Sequence, residues 1–212
     1  MKSALPRCAL TLFPVLLLAG ESAPRIIFSK TFVGSVPPYV EIILERDGTG
    51  VYKDAPDDED PLKFKLQDAD ISEMFALAEK LDKFTRKVES GLTVAKMGEK
   101  VFRWEDGAVK NEQKFNYSDD LDAKALLDWF ERISESEQHR INLERTARFD
   151  KLGVNQALLQ LEVAWDRKRL VAVDQFLPML ERVARNEAYL NMARERAAYL
   201  ADLFRGKPKA EE

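Results

Sequence analysis

YVEIILERDGTGVYK, residues 39–53, contains a change of direction that can be read directly from the sequence. Val40, Ile42 and Leu44 alternate with Glu41, Ile43 and Glu45, the period of two expected of a half-buried strand. Asp47-Gly48 follows, and glycine accepts the positive φ that a tight hairpin turn demands. Thr49-Gly50-Val51-Tyr52 then begins a second strand. The stretch predicts a β-hairpin, and a hairpin here makes the sheet antiparallel.

Working outward, RIIFSKTFVG at 25–34 carries the β-branched and aromatic residues of a preceding strand. DAPDDEDP at 54–61 reads as an acidic loop bounded by prolines, and PLKFKL at 61–66 alternates again. A helix is expected next, capped by Asp70 with Glu73 three residues on. Ile71, Met74, Phe75, Ala78, Leu81 and Phe84 form its apolar stripe. LTVAKM at 92–97, KVFRWED at 100–106 and AVKNEQKFNY at 108–117 read as three more strands, punctuated by Gly98 and Gly107. Residues 23–117 thus predict the α+β class: a small antiparallel β-sheet with one packed helix.

After Ser118 the pattern is helical, giving an all-helical C-terminal extension over 118–205. Leu121, Ala125, Leu126, Trp129, Phe130 and Ile133 share one face. SESEQHRINLERTAR at 134–148 is poor in apolar residues and reads as a solvated helix or connector. Three later stripes mark helices around Leu158–Trp165, around Val173–Ala184 with Pro178 near its start, and around Leu190–Phe204 with Asn186 as its cap. Such stripes suit an antiparallel bundle or a long helical hairpin, and a homodimer is open to them. GKPKAEE at 206–212 reads as a disordered tail.

The N-terminus places Lys2 and Arg7 before an apolar run from Cys8 to Ala19, then Gly20, Ser22 and Ala23. This is the pattern of a secretory signal peptide over 1–22, cut near residues 20–23, and its run is shorter than the roughly 20 residues that span a bilayer. Cys8, the only cysteine, then leaves with it, so the expected mature chain forms no disulfide. Loss of Lys2, Arg7 and Glu21 makes that chain one charge more acidic than the full chain's net −4. Such acidity argues against nucleic acid or an anionic membrane as a partner.

The residues nominate no catalytic, cofactor-binding or metal site. His139 is the only histidine and lies in the charged stretch, where it reads as structural or solvated. That leaves zinc sites of the usual nitrogen and sulfur type, and histidine-based triads, without their ligands or base. Asp57, Asp58, Glu59 and Asp60 cluster as calcium ligands do, but without the spacing that wraps a loop around one ion; they read as a solvated charge run, with cation binding left open. Trp104, Trp129 and Trp165 stand where strand or helix periodicity asks for core residues.

Phe28 and Lys30, then Gly34-Ser35-Val36-Pro37-Pro38-Tyr39, then Asp47-Gly48 and Tyr52, form a motif of their own. The segment resembles an uncharacterised family of exported bacterial α+β domains with a G-x-C-P-x-Y, D-G and Tyr hairpin signature. Val36 and Pro37 stand where cysteine and proline are usual. The resemblance implies a small sheet-plus-helix module in an exported bacterial protein, and no activity. Physically, Pro37 and Pro38 are expected to shape the start of the strand and leave an edge free of donors, with Tyr39 and Tyr52 facing each other across the hairpin.

Together these readings predict an exported, non-enzymatic binding module, periplasmic or secreted, whose partner is a protein or another cell-envelope component. The alternative is a carboxylate-dependent hydrolase acting on an envelope polymer, for which many Asp and Glu residues are candidates and no pair stands out.

Overall fold

The computed structural model describes residues 23–206. The expected signal peptide, Cys8 and all of the expected tail except Gly206 lie outside the described residues. Six strands, β1 (Arg25–Thr31), β2 (Tyr39–Glu45), β3 (Thr49–Lys53), β4 (Leu62–Lys65), β5 (Glu99–Asp106) and β6 (Val109–Phe115), form one sheet in the order β4-β3-β2-β1-β5-β6. Every neighbouring pair is antiparallel. The helices are α1 (Asp68–Lys80), α2 (Leu121–Phe149), α3 (Val154–Asp166), α4 (Leu177–Arg185) and α5 (Asn191–Phe204). The α+β class and the helical C-terminal part are as the sequence predicts.

The register sets which side of the sheet is covered. Ile26 and Phe28 lie opposite Leu44 and Ile42 on one side, and opposite Trp104 and Phe102 on the other. These side chains form one core with α1 and the first half of α2. Phe130 of α2 stacks on Phe28 at 4.9 Å, and Phe75 of α1 meets Trp104 edge-on at 5.8 Å. Gly50 lies opposite Phe64, whose ring occupies the space a side chain would need: a Cβ at Gly50 would sit 2.1 Å from it. The other face carries a charge ladder in which Glu45, Arg25, Glu105 and Lys110 alternate in sign across four strands, with Arg25 and Glu105 2.5 Å apart.

A second core joins the end of α2 to α3, α4 and α5 through Leu143, Leu158, Leu161, Leu180, Leu200 and Phe204. Trp165 packs at its margin, and Trp104 and Trp129 are buried in the first core.

Several local expectations are corrected. Residues 92–97 form no strand; Leu92, Val94 and Met97 face solvent. The side chain of Asn116 replaces a strand partner there, accepting from the Met97 amide at 2.7 Å and donating to the Ala95 carbonyl at 3.0 Å. Asp70 lies within the first turn of α1, not at its cap, because the helix begins at Asp68. Asn186 follows α4, and its side chain accepts from the Ala188 amide; α5 starts only at Asn191. Tyr39 and Tyr52 are on opposite faces, since the residue facing Tyr52 on β2 is Ile42. Pro37 and Pro38 lie in the β1–β2 loop between two inner strands, so they protect no edge.

The largest correction concerns 134–148, which is helix, as one of the two readings has it, but forms the second half of an unbroken α2 and is neither a connector nor fully solvated. Its buried face continues from Ile133 through Ser136 and Glu137 to Leu143 and Ala147. Ser136, 0% exposed, donates to the Arg132 carbonyl and accepts from the Val171 amide, both at 2.9 Å. Val171 belongs to the first core and Leu170 to the second, so this bond pins the crossing between them. Ser136→Ala leaves a buried amide without its acceptor and is expected to lower stability by about 1–3 kcal/mol. A shifted urea midpoint with unchanged slope checks this; an unchanged midpoint contradicts it.

Candidate functional site

The β1–β2 loop and the strand ends beside it meet the middle of α2 around two cavities that share Lys30 and Glu131. The first, about 490 Å³, lies between Ser35, Val36 and Pro37 of the loop and Ser134, Gln138 and His139 of α2. Its α2 wall follows from spacing: Glu131, Glu135 and His139 recur every four residues and so share one helix face. Glu135 is neutralised by Arg169, whose Nε and Nη2 each donate at 2.8 Å, while Nη1 reaches Asp128 at 2.5 Å. These bonds raise the Arg169 guanidinium above its ordinary value. Glu135 and His139 also border a groove of about 600 Å³ against α3. His139 is half-buried, and burial pushes its imidazole below its usual range.

The second cavity, about 380 Å³, is chemically different. Lys30, Lys96, Lys100 and Lys124 line it beside Phe32, Met97, Phe115 and Leu127, with Glu131 as its carboxylate. Lys30 and Lys100 stand directly opposite each other on β1 and β5, on the covered face of the sheet. Like charges in such a pair repel. Lys100 is only 4% exposed and its Nζ donates to three carbonyls, those of Asn116 at 2.8 Å, Met97 at 3.3 Å and Gly98 at 3.5 Å. Burial, then the charge of Lys30, lowers the Lys100 amine from its ordinary value.

Beyond this cavity, the β1–β2 loop and the segment before β5 expose apolar side chains at one end of the sheet. Val33 is 88% and Val36 96% exposed, and Phe32, Leu92, Val94 and Met97 accompany them. The two segments touch, because Gly98 lies against Phe32 so closely that a Cβ there would be 2.8 Å from it.

Of the residues singled out from sequence, His139 is at these cavities, with Phe28, Lys30, Ser35, Val36 and Pro37 of the hairpin motif. Asp57, Asp58, Glu59 and Asp60 lie in the β3–β4 loop, where Asp58 accepts from the Asp60 amide at 3.0 Å. Among the described residues, no three His, Asp or Glu side chains are grouped to hold a metal ion. The three lysines that escaped the sequence reading, Lys96, Lys100 and Lys124, are dispersed over the segment before β5, β5 itself and α2. One signal was readable: in KVFRW, Lys100 shares its strand face with Phe102 and Trp104, a charge at a core position. The chain matches no protein-family model, no curated protein and no solved structure.

One carboxyl is strongly perturbed and lies apart from these cavities. Glu137, 1% exposed, is pushed up to about 7 by burial, against the opposing charge of Arg140 at 3.4 Å. Between 4.5 and about 7 the folded chain retains a proton that the unfolded chain has released, so this group makes stability fall as pH rises through that window. Glu137→Gln is expected to abolish that fall and to raise stability above neutral pH by about 2–3 kcal/mol. Urea midpoints near pH 5 and pH 8 check it, and an equal pH response in both proteins contradicts it.

Proposed function

We propose that the chain is an exported, non-enzymatic binding module of the bacterial cell envelope, acting through the β1–β2 loop end of the sheet. One observation carries the reading: two touching segments expose apolar side chains, of which Phe32 and Met97 line a cavity that also holds four lysines. Contiguous exposed apolar surface marks interaction sites in proteins that are otherwise well packed. The export setting is supported by the signal pattern of residues 1–22 and by the resemblance carried by residues 28–52. Lys30, part of that resembling motif, borders both cavities.

The carboxylate-hydrolase alternative needs a proton-bearing carboxyl against its substrate. Glu137 has the raised affinity for a proton but lines neither cavity, and both oxygens of Glu135 are engaged by Arg169. The geometry therefore favours binding over hydrolysis.

A photo-crosslinking amino acid at Val36 in the full chain, expressed in a Gram-negative host, tests this reading. The expected result is an adduct with an envelope component from position 36 and none from an equivalent probe at Glu59 in the β3–β4 loop. The captured protein is expected to begin near residue 21 or 23. Equal capture from both positions, or from neither, overturns the binding surface; a chain retained in the cytoplasm with residues 1–22 attached overturns export.

A further inference from the structure

We propose that the cavity between Lys30 and Lys100 holds the anionic head of an amphiphile, a carboxylate or phosphate, while its alkyl chain lies against Phe32, Met97, Phe115 and Leu127. This deepens the binding reading above and rests on it.

Three observations converge. First, the like-charged pair Lys30 and Lys100 occupies directly opposed positions on the covered face of the sheet, where it opposes folding unless an anion joins it. Second, the chain supplies no carboxylate in direct ion-pair contact with these lysines among the described residues, although Glu131 and Glu89 act on Lys100 from further away. The described lysines with an ion pair are Lys53, Lys65, Lys80, Lys110 and Lys114, and none of the four in the cavity. Glu131 lines the cavity with them, so positive charge remains in excess in a chain whose net charge is −4. The Lys100 amine is buried and spends its three donors on the carbonyls of Asn116, Met97 and Gly98, so it contributes charge to the cavity and leaves direct hydrogen bonds to an anion to Lys30, Lys96 and Lys124.

Third, four apolar side chains share the remaining wall with Asn116, Tyr117 and Ser118. Phe115 is buried, Leu127 half-buried, and Phe32 and Met97 exposed at the rim. A fully hydrated anion such as a free nucleotide or sugar phosphate would leave this wall unused. The wall continues into an adjoining cavity of about 760 Å³ that shares Phe32, Lys96, Phe115 and Asn116 and adds Val33 and Val94, with Glu89, Glu99 and Lys114 also on its lining. A chain leaving the lysines thus has Phe32, Val33 and Val94 to lie against on the way to the exposed end of the sheet. Both cavities are within the range of about 300–1,000 Å³ usual for small-molecule sites.

Calorimetric titration of the full chain with sodium laurate, dodecyl phosphate, dodecanol and inorganic phosphate tests the assignment, alongside flotation with phosphatidylglycerol and phosphatidylcholine vesicles. Laurate and dodecyl phosphate are expected to bind about tenfold or more tightly than dodecanol or inorganic phosphate. Lys96→Glu and Lys124→Glu, at exposed positions, are each expected to weaken binding about tenfold without altering the melting temperature. Lys100→Met tests the buried amine, with its own melting temperature showing that it folds. Binding of phosphatidylglycerol vesicles, but not of monomeric amphiphile or phosphatidylcholine, supports the same chemistry with a bilayer as its source. Equal binding of laurate and dodecanol, or no binding of any amphiphile or vesicle, overturns the proposal. If position 36 still captures an envelope component in that case, the binding-module reading survives and only the ligand class falls; loss of capture as well removes both.

Discussion

One helix must satisfy two cores at once, and most of the architecture follows from that constraint. α2 is 29 residues, about 43 Å at the usual rise. Its first half closes the sheet and its last turns open the helical layer. A straight rod cannot adjust one end independently of the other, so the segment returning to its middle must be fixed in place. Arg169, Leu170 and Val171 do this in sequence: a guanidinium on Glu135 and Asp128, a side chain in the second core, and an amide on Ser136. Arg140 adds a further tie, donating to the Lys63 carbonyl of β4 at 2.9 Å and to Gln175 at 3.1 Å.

The polar middle of α2 is therefore structural, at a cost. Ser136 is fully paired, but Glu137 has one carboxylate oxygen without a hydrogen-bond partner among the described residues. A buried ion pair is weak support for stability, because desolvation offsets much of the attraction. The Lys30 and Lys100 pair is a second local violation, offset in part by the carbonyls that Lys100 bonds and by Glu131 in the same cavity, but by no direct ion pair among the described residues. Places where a sequence breaks its own folding rules tend to be the places where it does something besides fold, and the second violation, unlike the first, opens onto a cavity.

Much of the fold was legible because alternation and turn chemistry are local. The Asp47-Gly48 hairpin, the α1 stripe and the order of later helices all follow from spacing within a few residues. The α2 middle was not legible, because burial there depends on hydrogen bonds from residues 30 or more positions away, and Ser and Glu carry no apolar signal. Residues 92–97 failed for the converse reason: Leu92 and Val94 alternate with Thr93 as a strand does, yet no partner strand reaches them. The site was barely legible. Lys30 and Lys100 are distant in sequence, and only their register brings them together; the inward phase of Lys100 was its single trace in the primary structure.

The sheet's margins limit how anything can approach it. β4 is four residues long and carries Lys63 and Lys65, while β6 carries Lys110 and Lys114. Lysines on short or outward edges discourage a foreign strand from adding itself to the ladder. α1 and α2 cover one face, and the other carries the charge ladder around the partly buried Ile43 and Val51. Strand addition is thus disfavoured at both margins, and under the proposed reading a partner at the β1–β2 loop meets the strands along their axes, so its orientation is set before any specific contact forms.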